Sequence, residues 1–78
     1  MIKIKFFTTS NCHLCDDAEF LLQKYLQDQI ITIDKIDIAD SDYLVDLYGI
    51  RIPVIRRLDS DKELGWPFDE RVLIDFFR

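Results

Sequence analysis

Two cysteines separated by two residues are the side chains of this 78-residue sequence best suited to chemistry. If a helix begins here, the sulfurs of Cys12 and Cys15 lie one turn apart, close enough to form a disulfide or to share a soft metal ion. Such a disulfide closes a very short loop, for which the entropic stabilisation is smallest. A catalytic or metal-binding role is therefore favoured over structural cross-linking.

The position of the pair at the start of a helix predicts different roles for the two thiols. Unpaired N–H groups and the positive end of the helix dipole would stabilise the Cys12 thiolate, so its pKa is expected below the free-cysteine value of about 8.5. We predict that Cys12 is the nucleophile and that Cys15, one turn further on, is the less exposed resolving thiol. His13 is either a cation that further favours the thiolate or a solvent-facing neighbour without effect.

The hydrophobic pattern predicts the two elements that flank the pair. Alternation over residues 2–7 predicts a strand that is buried on both faces at its end, because Phe7 follows Phe6. A helix is predicted over about 12–28, with Ser10 or Asn11 as its N-cap. Its expected buried face consists of Leu14, Ala18, Leu21, Leu22 and Tyr25.

The rest of the chain predicts a small α/β domain. The isoleucine-rich segment 30–38 favours a second strand, either a buried central strand over about 32–36 or a strand with a bulge. The remaining predicted elements are a helix within 40–49, a strand in 50–58, a turn at 59–61, a short strand near 62–64 and a helix over about 68–77. The order β-α-β-α-β-β-α predicts a single domain, residues 1–78, with a four-stranded mixed sheet flanked by helices.

Composition limits the classes of partner. Fifteen acidic and ten basic residues give a net charge of −5, which disfavours nucleic acid and anionic membranes as partners. The sequence contains no apolar run of the roughly 20 residues that a membrane span needs, and its start lacks signal-peptide features. A cytoplasmic location is therefore expected. Arg51, Arg56 and Arg57 are expected to form a solvated group, or to attract an anionic substrate if they lie near the dithiol.

With the dithiol and a later Ile52-Pro53 both present, the chain resembles the thioredoxin superfamily, and it is most similar to small glutaredoxins and bacterial glutaredoxin-like proteins. The likeness spans residues 4–77. It rests on segments 7–15, 48–54 and 66–69 and on Asp37. It implies a thioredoxin-like fold and a cis Ile52–Pro53 peptide bond. It also implies a substrate groove that includes Ile52, Pro53 and Asp69.

The resemblance also implies a function. It points to a thiol–disulfide oxidoreductase, expected to be a monomer without a bound cofactor, that acts on protein disulfides or glutathione mixed disulfides. Glutathione or thioredoxin reductase would restore the dithiol. Thr9 and the segment Trp66-Pro67-Phe68 stand where glutaredoxins carry a lysine and a Gly-Gly pair that bind glutathione. Dithiol chemistry is therefore implied more strongly than glutathione binding.

Two other functions are compatible with the residues. The dithiol could hold Cu(I), Zn²⁺ or an iron–sulfur cluster shared with glutathione and a second chain. Copper chaperones of similar length have the order β-α-β-β-α-β, which differs from the order predicted here, and two ligands leave Zn²⁺ short of its usual four. The other alternative is an interaction domain that keeps the fold without redox activity.

Overall fold

The computed structural model describes residues 2–25 and 31–77. These residues form four strands and three α-helices in the predicted order β-α-β-α-β-β-α. The elements are β1 (Ile2–Thr8), α1 (His13–Tyr25), β2 (Ile31–Asp37), α2 (Asp42–Tyr48), β3 (Val54–Arg57), β4 (Glu63–Gly65) and α3 (Glu70–Phe77). A single 3₁₀ turn, Ile38–Asp40, connects β2 to α2. The predicted end of the first helix near residue 28 lies outside the described residues.

The four strands form one mixed sheet in the order β2-β1-β3-β4. β1 pairs with β2 in parallel from Ile2 with Ile31 to Thr8 with Asp37. It pairs with β3 in the antiparallel sense, so that Phe7 lies opposite Val54, and β4 extends the hairpin. The predicted fold class is confirmed, and one of the two central strands, β1, leads into the dithiol.

The second strand lies at the edge of the sheet, so the prediction of a buried central strand is wrong. Among the described residues, β2 pairs only with β1, its pairing is continuous without a bulge, and residues 32–35 are exposed. The isoleucines of β2 lie in different environments. Ile31 packs on the core beside α1 and α3, Ile36 packs on the core beside α2, and Ile33 is partly exposed.

Each face of the sheet has its own apolar core. The α1/α3 face is built from buried residues of β1, β3, both helices and the segment before α3: Ile4, Phe6, Ala18, Leu22, Ile55, Phe68 and Leu73. The α2 face has a smaller buried cluster: Phe7, Ile38, Tyr48 and Val54. Because adjacent strand residues point to opposite faces, Phe6 and Phe7 enter different cores. The prediction that the end of β1 is buried on both faces is confirmed.

The three arginines lie in ion pairs rather than forming one solvated group. Arg57 is only 9% exposed; its guanidinium binds Asp59, and it donates to the carbonyl oxygen of Phe76 at 2.7 Å. It therefore ties the β3–β4 hairpin to the end of α3. At the surface, Arg51 pairs with Glu63 and Arg56 pairs with Asp61.

None of the helices in the described ranges is long and apolar enough to cross a membrane.

Candidate active site at the dithiol

The loop that carries the cysteines and the segment that carries the proline lie at the same edge of the sheet. Thr8 ends β1 opposite Asp37, and Phe7 pairs with Val54, the residue that follows Pro53. The loop that carries the dithiol therefore begins where the segment before β3 enters the sheet. Val54 also pairs with Gly65, which brings the start of the 66–69 segment to this edge.

The two thiols form a disulfide and differ in exposure. The Cα atoms of Cys12 and Cys15 are 5.2 Å apart and their sulfurs are bonded. Cys15 is 1% exposed, whereas Cys12 is partly exposed. This is the difference that helical spacing predicts for an accessible first thiol and a protected second thiol.

Cys12 itself caps the helix, so the prediction of Ser10 or Asn11 as N-cap is wrong. The carbonyl oxygen of Cys12 accepts the N–H of Asp16 at 3.1 Å, and its sulfur accepts the N–H of Cys15 at 3.1 Å. Asn11 has a φ of 58°, a left-handed conformation that asparagine tolerates better than most residues. This turn moves the cap one residue further and places the Cys12 sulfur against a helix N-terminal N–H group.

The residues between and beside the cysteines are exposed. His13 is exposed, which is compatible with both roles expected for it. Leu14 is 49% exposed, although the apolar pattern predicted it on the buried face of α1. It lies in the first turn of α1, where its neighbour Cys15 is the buried residue. Ile50, three residues before Pro53, is fully exposed.

The Ile52–Pro53 peptide bond is cis, as the resemblance implied. Pro53 is buried, and its carbonyl oxygen accepts the N–H of Trp66 at 3.0 Å. The N–H of Ile52 donates to the carbonyl oxygen of Tyr48 at 3.0 Å. The Trp66–Pro67 bond is also cis, which sequence analysis missed. Its only sequence signal is the small cis–trans energy difference shared by all X-Pro bonds.

Asp69 is at the rim of a shallow cavity and also caps α3. Its Oδ1 accepts the N–H of Val72 at 3.0 Å. A cavity of about 250 Å³ is lined by Pro67, Phe68, Asp69 and Val72, directly after the segment that meets Pro53. A second cavity of the same volume is lined by α1 and α3 residues. Neither cavity is lined by the dithiol or by Pro53, but the first directly follows Trp66, whose N–H donates to the Pro53 carbonyl oxygen. The first cavity is therefore the better candidate for part of a substrate groove.

A buried tyrosine and its partners form the part of this region that sequence reasoning missed. No local sequence pattern assigns Tyr48 or Glu63 to the site. The Tyr48 hydroxyl donates to Glu63, and Arg51 also donates to Glu63. Burial, together with the hydrogen bond to Glu63, raises the pKa of Tyr48. That hydrogen bond and Arg51 lower the pKa of Glu63. No local pattern links residues 15 positions apart, so the sequence carries no signal for this contact.

The site offers a metal ion two thiols rather than a complete set of protein ligands. Across residues 2–25 and 31–77, no group of three or more His, Cys, Asp or Glu side chains could hold a metal ion. The observed element order also differs from the β-α-β-β-α-β order of copper chaperones.

The chain matches one family along nearly its whole length. The glutaredoxin-like domain family (DUF836) matches residues 3–78. No curated protein matches the chain significantly.

Solved structures of similar proteins share this architecture. The X-ray structure of the target protein XcR50 from X. campestris is 31% identical over 95% of this chain and 93% of its own, with a TM-score of 0.82. Protein Ne2328 from Nitrosomonas europaea is 26% identical, with 96% and 89% covered and a TM-score of 0.81. Thioredoxin 1 from Thermosipho africanus, 22% identical with 96% and 89% covered and a TM-score of 0.72, shares the fold.

Proposed function

Because this chain belongs to the glutaredoxin-like domain family, we propose that it is a thiol–disulfide oxidoreductase that reduces disulfides in protein substrates. One observation carries the proposal: the Cys12–Cys15 disulfide lies at the N-terminus of α1, with one sulfur accessible and the other buried. An inert core pair would bury both sulfurs. The proposal includes a cytoplasmic monomer that works without a bound cofactor.

The reaction begins from the reduced protein. The Cys12 thiolate attacks one sulfur of the substrate disulfide, forms a mixed disulfide and releases the other substrate sulfur as a thiolate. The Cys15 thiol loses its proton and attacks the Cys12 sulfur, which forms the Cys12–Cys15 disulfide and releases the second substrate thiolate. Two electrons thus pass from the dithiol to the substrate, and the disulfide described above is the product state.

The chain assists this reaction at the attacking sulfur. The backbone N–H of Cys15 already donates to the Cys12 sulfur, and the same donor would stabilise the thiolate after reduction. Asp16 in the first turn and Asp17 directly after it act against this stabilisation, because like charges repel.

The substrate groove in this proposal includes Ile52, Pro53 and Asp69. The N–H of Ile52 donates within the chain, so a substrate backbone would meet the carbonyl oxygen of Ile52. The cavity beside Asp69 would receive the side chain next to the substrate sulfur.

Protein disulfides suit this site better than glutathione mixed disulfides. Thr9 lacks the positive charge that a lysine would offer to a glutathione carboxylate. Phe68 is buried and packs edge-on against Trp66, so this segment is filled by aromatic rings rather than open backbone. Asp69 and Glu70, at the start of α3, are exposed and repel an anionic tripeptide.

The test is turnover of the reduced protein with two matched serine variants. We expect wild-type protein to reduce a disulfide-containing peptide with NADPH and either thioredoxin reductase or glutathione plus glutathione reductase as the electron source. Cys12→Ser should abolish turnover. Cys15→Ser should accumulate a mixed disulfide at Cys12, which intact mass spectrometry detects, because the resolving thiol is absent.

Two results would contradict the proposal. One is a Cys12–Cys15 pair that neither reductant can reduce. The other is a Cys15→Ser protein that forms no mixed disulfide with any disulfide offered, since attack by Cys12 does not need Cys15.

A further inference from the structure

Glu63, in the short edge strand β4, binds two residues of the segment that leads to the cis proline. Its Oε2 accepts the hydroxyl of Tyr48, and its Oε1 accepts Nη2 of Arg51 at 2.9 Å. Both carboxylate oxygens are therefore occupied by donors from the end of α2 and the loop after it. The pair is accessible to solvent, with the Arg51 side chain 48% and the Glu63 side chain 29% exposed.

Tyr48 gives this contact a fixed support. It is 2% exposed, and its ring stacks on Phe7 with centroids 4.1 Å apart. The Arg51 guanidinium carbon lies 5.2 Å from the centre of the same ring. The backbone N–H groups of Arg51 and Ile52 both donate to the Tyr48 carbonyl oxygen, at 2.8 and 3.0 Å. The loop after α2 thus folds around a buried tyrosine.

The cis-proline segment is held from both sides by β4. On one side the Pro53 carbonyl oxygen accepts the N–H of Trp66, which follows β4. On the other side Glu63, two residues before the end of β4, binds Arg51. Between these attachments lie Ile52 and Pro53. Removal of the Glu63 contact would leave the segment attached at its proline end, through the Trp66 N–H, but no longer at Arg51.

We propose that Glu63 is a positioning residue, which fixes Arg51 and thereby the backbone of Ile52 and Pro53 against which a substrate peptide docks. The proposal rests on the proposed function for the docking step, and on the contacts above for the positioning itself. Exposed ion pairs contribute little to global stability. The main effect of Glu63 is therefore local, on the loop that carries Ile52.

The first test measures local opening of the loop in the absence of a substrate. Amide hydrogen exchange of oxidised Glu63→Gln protein should be roughly tenfold or more faster at Arg51 and Ile52 than in wild type, because local opening becomes easier. Glu19→Gln is the matched control: it breaks the Lys35–Glu19 ion pair, also exposed, between α1 and β2. It should leave these two amides unchanged. Equal exchange in Glu63→Gln and wild type would overturn the proposal.

The second test uses two disulfides that differ in size. Reduced Glu63→Gln protein should need roughly three- to tenfold more of a peptide disulfide for half-saturation, with an unchanged limiting rate. Its rate with bis(2-hydroxyethyl) disulfide, which has no peptide backbone, and its Cys12–Cys15 potential should equal those of wild type. A parallel loss with both disulfides would indicate general destabilisation and would overturn the proposal.

A double-mutant cycle separates positioning from loss of stability. In an Arg51→Gln background, Glu63→Gln should have little further effect on peptide half-saturation, because the contact is already absent. Additive effects would contradict the proposal. If wild-type protein reacts with neither disulfide, the proposed function fails, and the exchange measurement alone decides whether Glu63 positions the loop.

Discussion

The two faces of the sheet are held by different kinds of interaction. On the α1/α3 face, helices pack on β1 and β3 through aliphatic and aromatic side chains. On the α2 face, a smaller apolar cluster is joined to hydrogen bonds and ion pairs around Tyr48, Glu63 and Arg51. One face buries a continuous apolar layer, and the other combines a small core with polar contacts that reach the cis-proline segment.

This difference separates stability from the geometry of the site. Burial of apolar area is the dominant favourable term in folding, so the α1/α3 face should carry most of the stability. The polar contacts of the α2 face contribute little free energy but are directional, so they can fix a loop. Both faces meet at β1, where Phe6 and Phe7 enter opposite cores immediately before the dithiol loop.

The largest expected effect is on the α1/α3 face. Leu22→Ala should lower the free energy of unfolding by about 2–5 kcal/mol, because it leaves a cavity in a fully buried layer. Urea unfolding measures the loss, and the Cys12–Cys15 potential of the folded protein should not change. A loss below about 1 kcal/mol would place the stability of the domain elsewhere.

A smaller effect is expected on the α2 face. Tyr48→Phe keeps the ring stacked on Phe7 and removes only the hydroxyl that donates to Glu63. It should lower the free energy of unfolding by about 1 kcal/mol, the usual net value of one hydrogen bond. Amide exchange at Arg51 should accelerate more in Tyr48→Phe than in Leu22→Ala, once each exchange rate is corrected for that variant's loss of unfolding free energy. The reverse order would contradict the separation of the two faces.

Acid should weaken the α2 face selectively. The hydrogen bond from Tyr48 and the charge of Arg51 lower the pKa of Glu63 below its usual 4.5. Glu63 therefore stabilises the fold fully above the unfolded-state pKa, and this contribution is lost as the pH falls through the lower folded-state pKa. The difference in unfolding free energy between wild type and Glu63→Gln should shrink on acidification from neutral pH. The difference between wild type and Leu22→Ala should stay constant, and a similar pH dependence of both would contradict this prediction.

The smallest effect is expected on the outer side of α2. Leu47 is 42% exposed, so truncation to alanine removes little buried area. Leu47→Ala should change the free energy of unfolding by no more than about 0.5 kcal/mol and should leave exchange at Arg51 unchanged. A larger loss would mean that this side of α2 is covered in solution, which sedimentation of the protein at several concentrations would test.

Local patterns predicted the elements where neighbouring residues alone decide the conformation. The helix predicted within 40–49 forms as α2, and Ser41 caps it because its side chain accepts the N–H of Leu44 three residues on. The helix predicted from about residue 68 begins at Glu70, two residues later, and Asp69 caps it. The adjacent pair Phe6 and Phe7 predicted burial on both faces at the end of β1, because neighbouring strand residues point to opposite faces.

Predictions were wrong where the outcome depended on distant residues. Ile33 is partly exposed because β2 is an edge strand, and strand order is set by pairing across the sheet. Arg57 is buried because α3 ends beside it and supplies a carbonyl acceptor. None of these neighbours is near in the sequence.

The sequence by itself determined the order of elements and the placement of Cys12 and Cys15 at a helix start, because both depend on spacing along a few adjacent residues. Only the tertiary structure decided that the segment before β3 enters the sheet beside the dithiol loop, and that Glu63 binds Arg51 in the loop before Pro53. These features depend on contacts between residues far apart in the chain. Such contacts form, and contribute free energy, only when the sheet has brought the residues together.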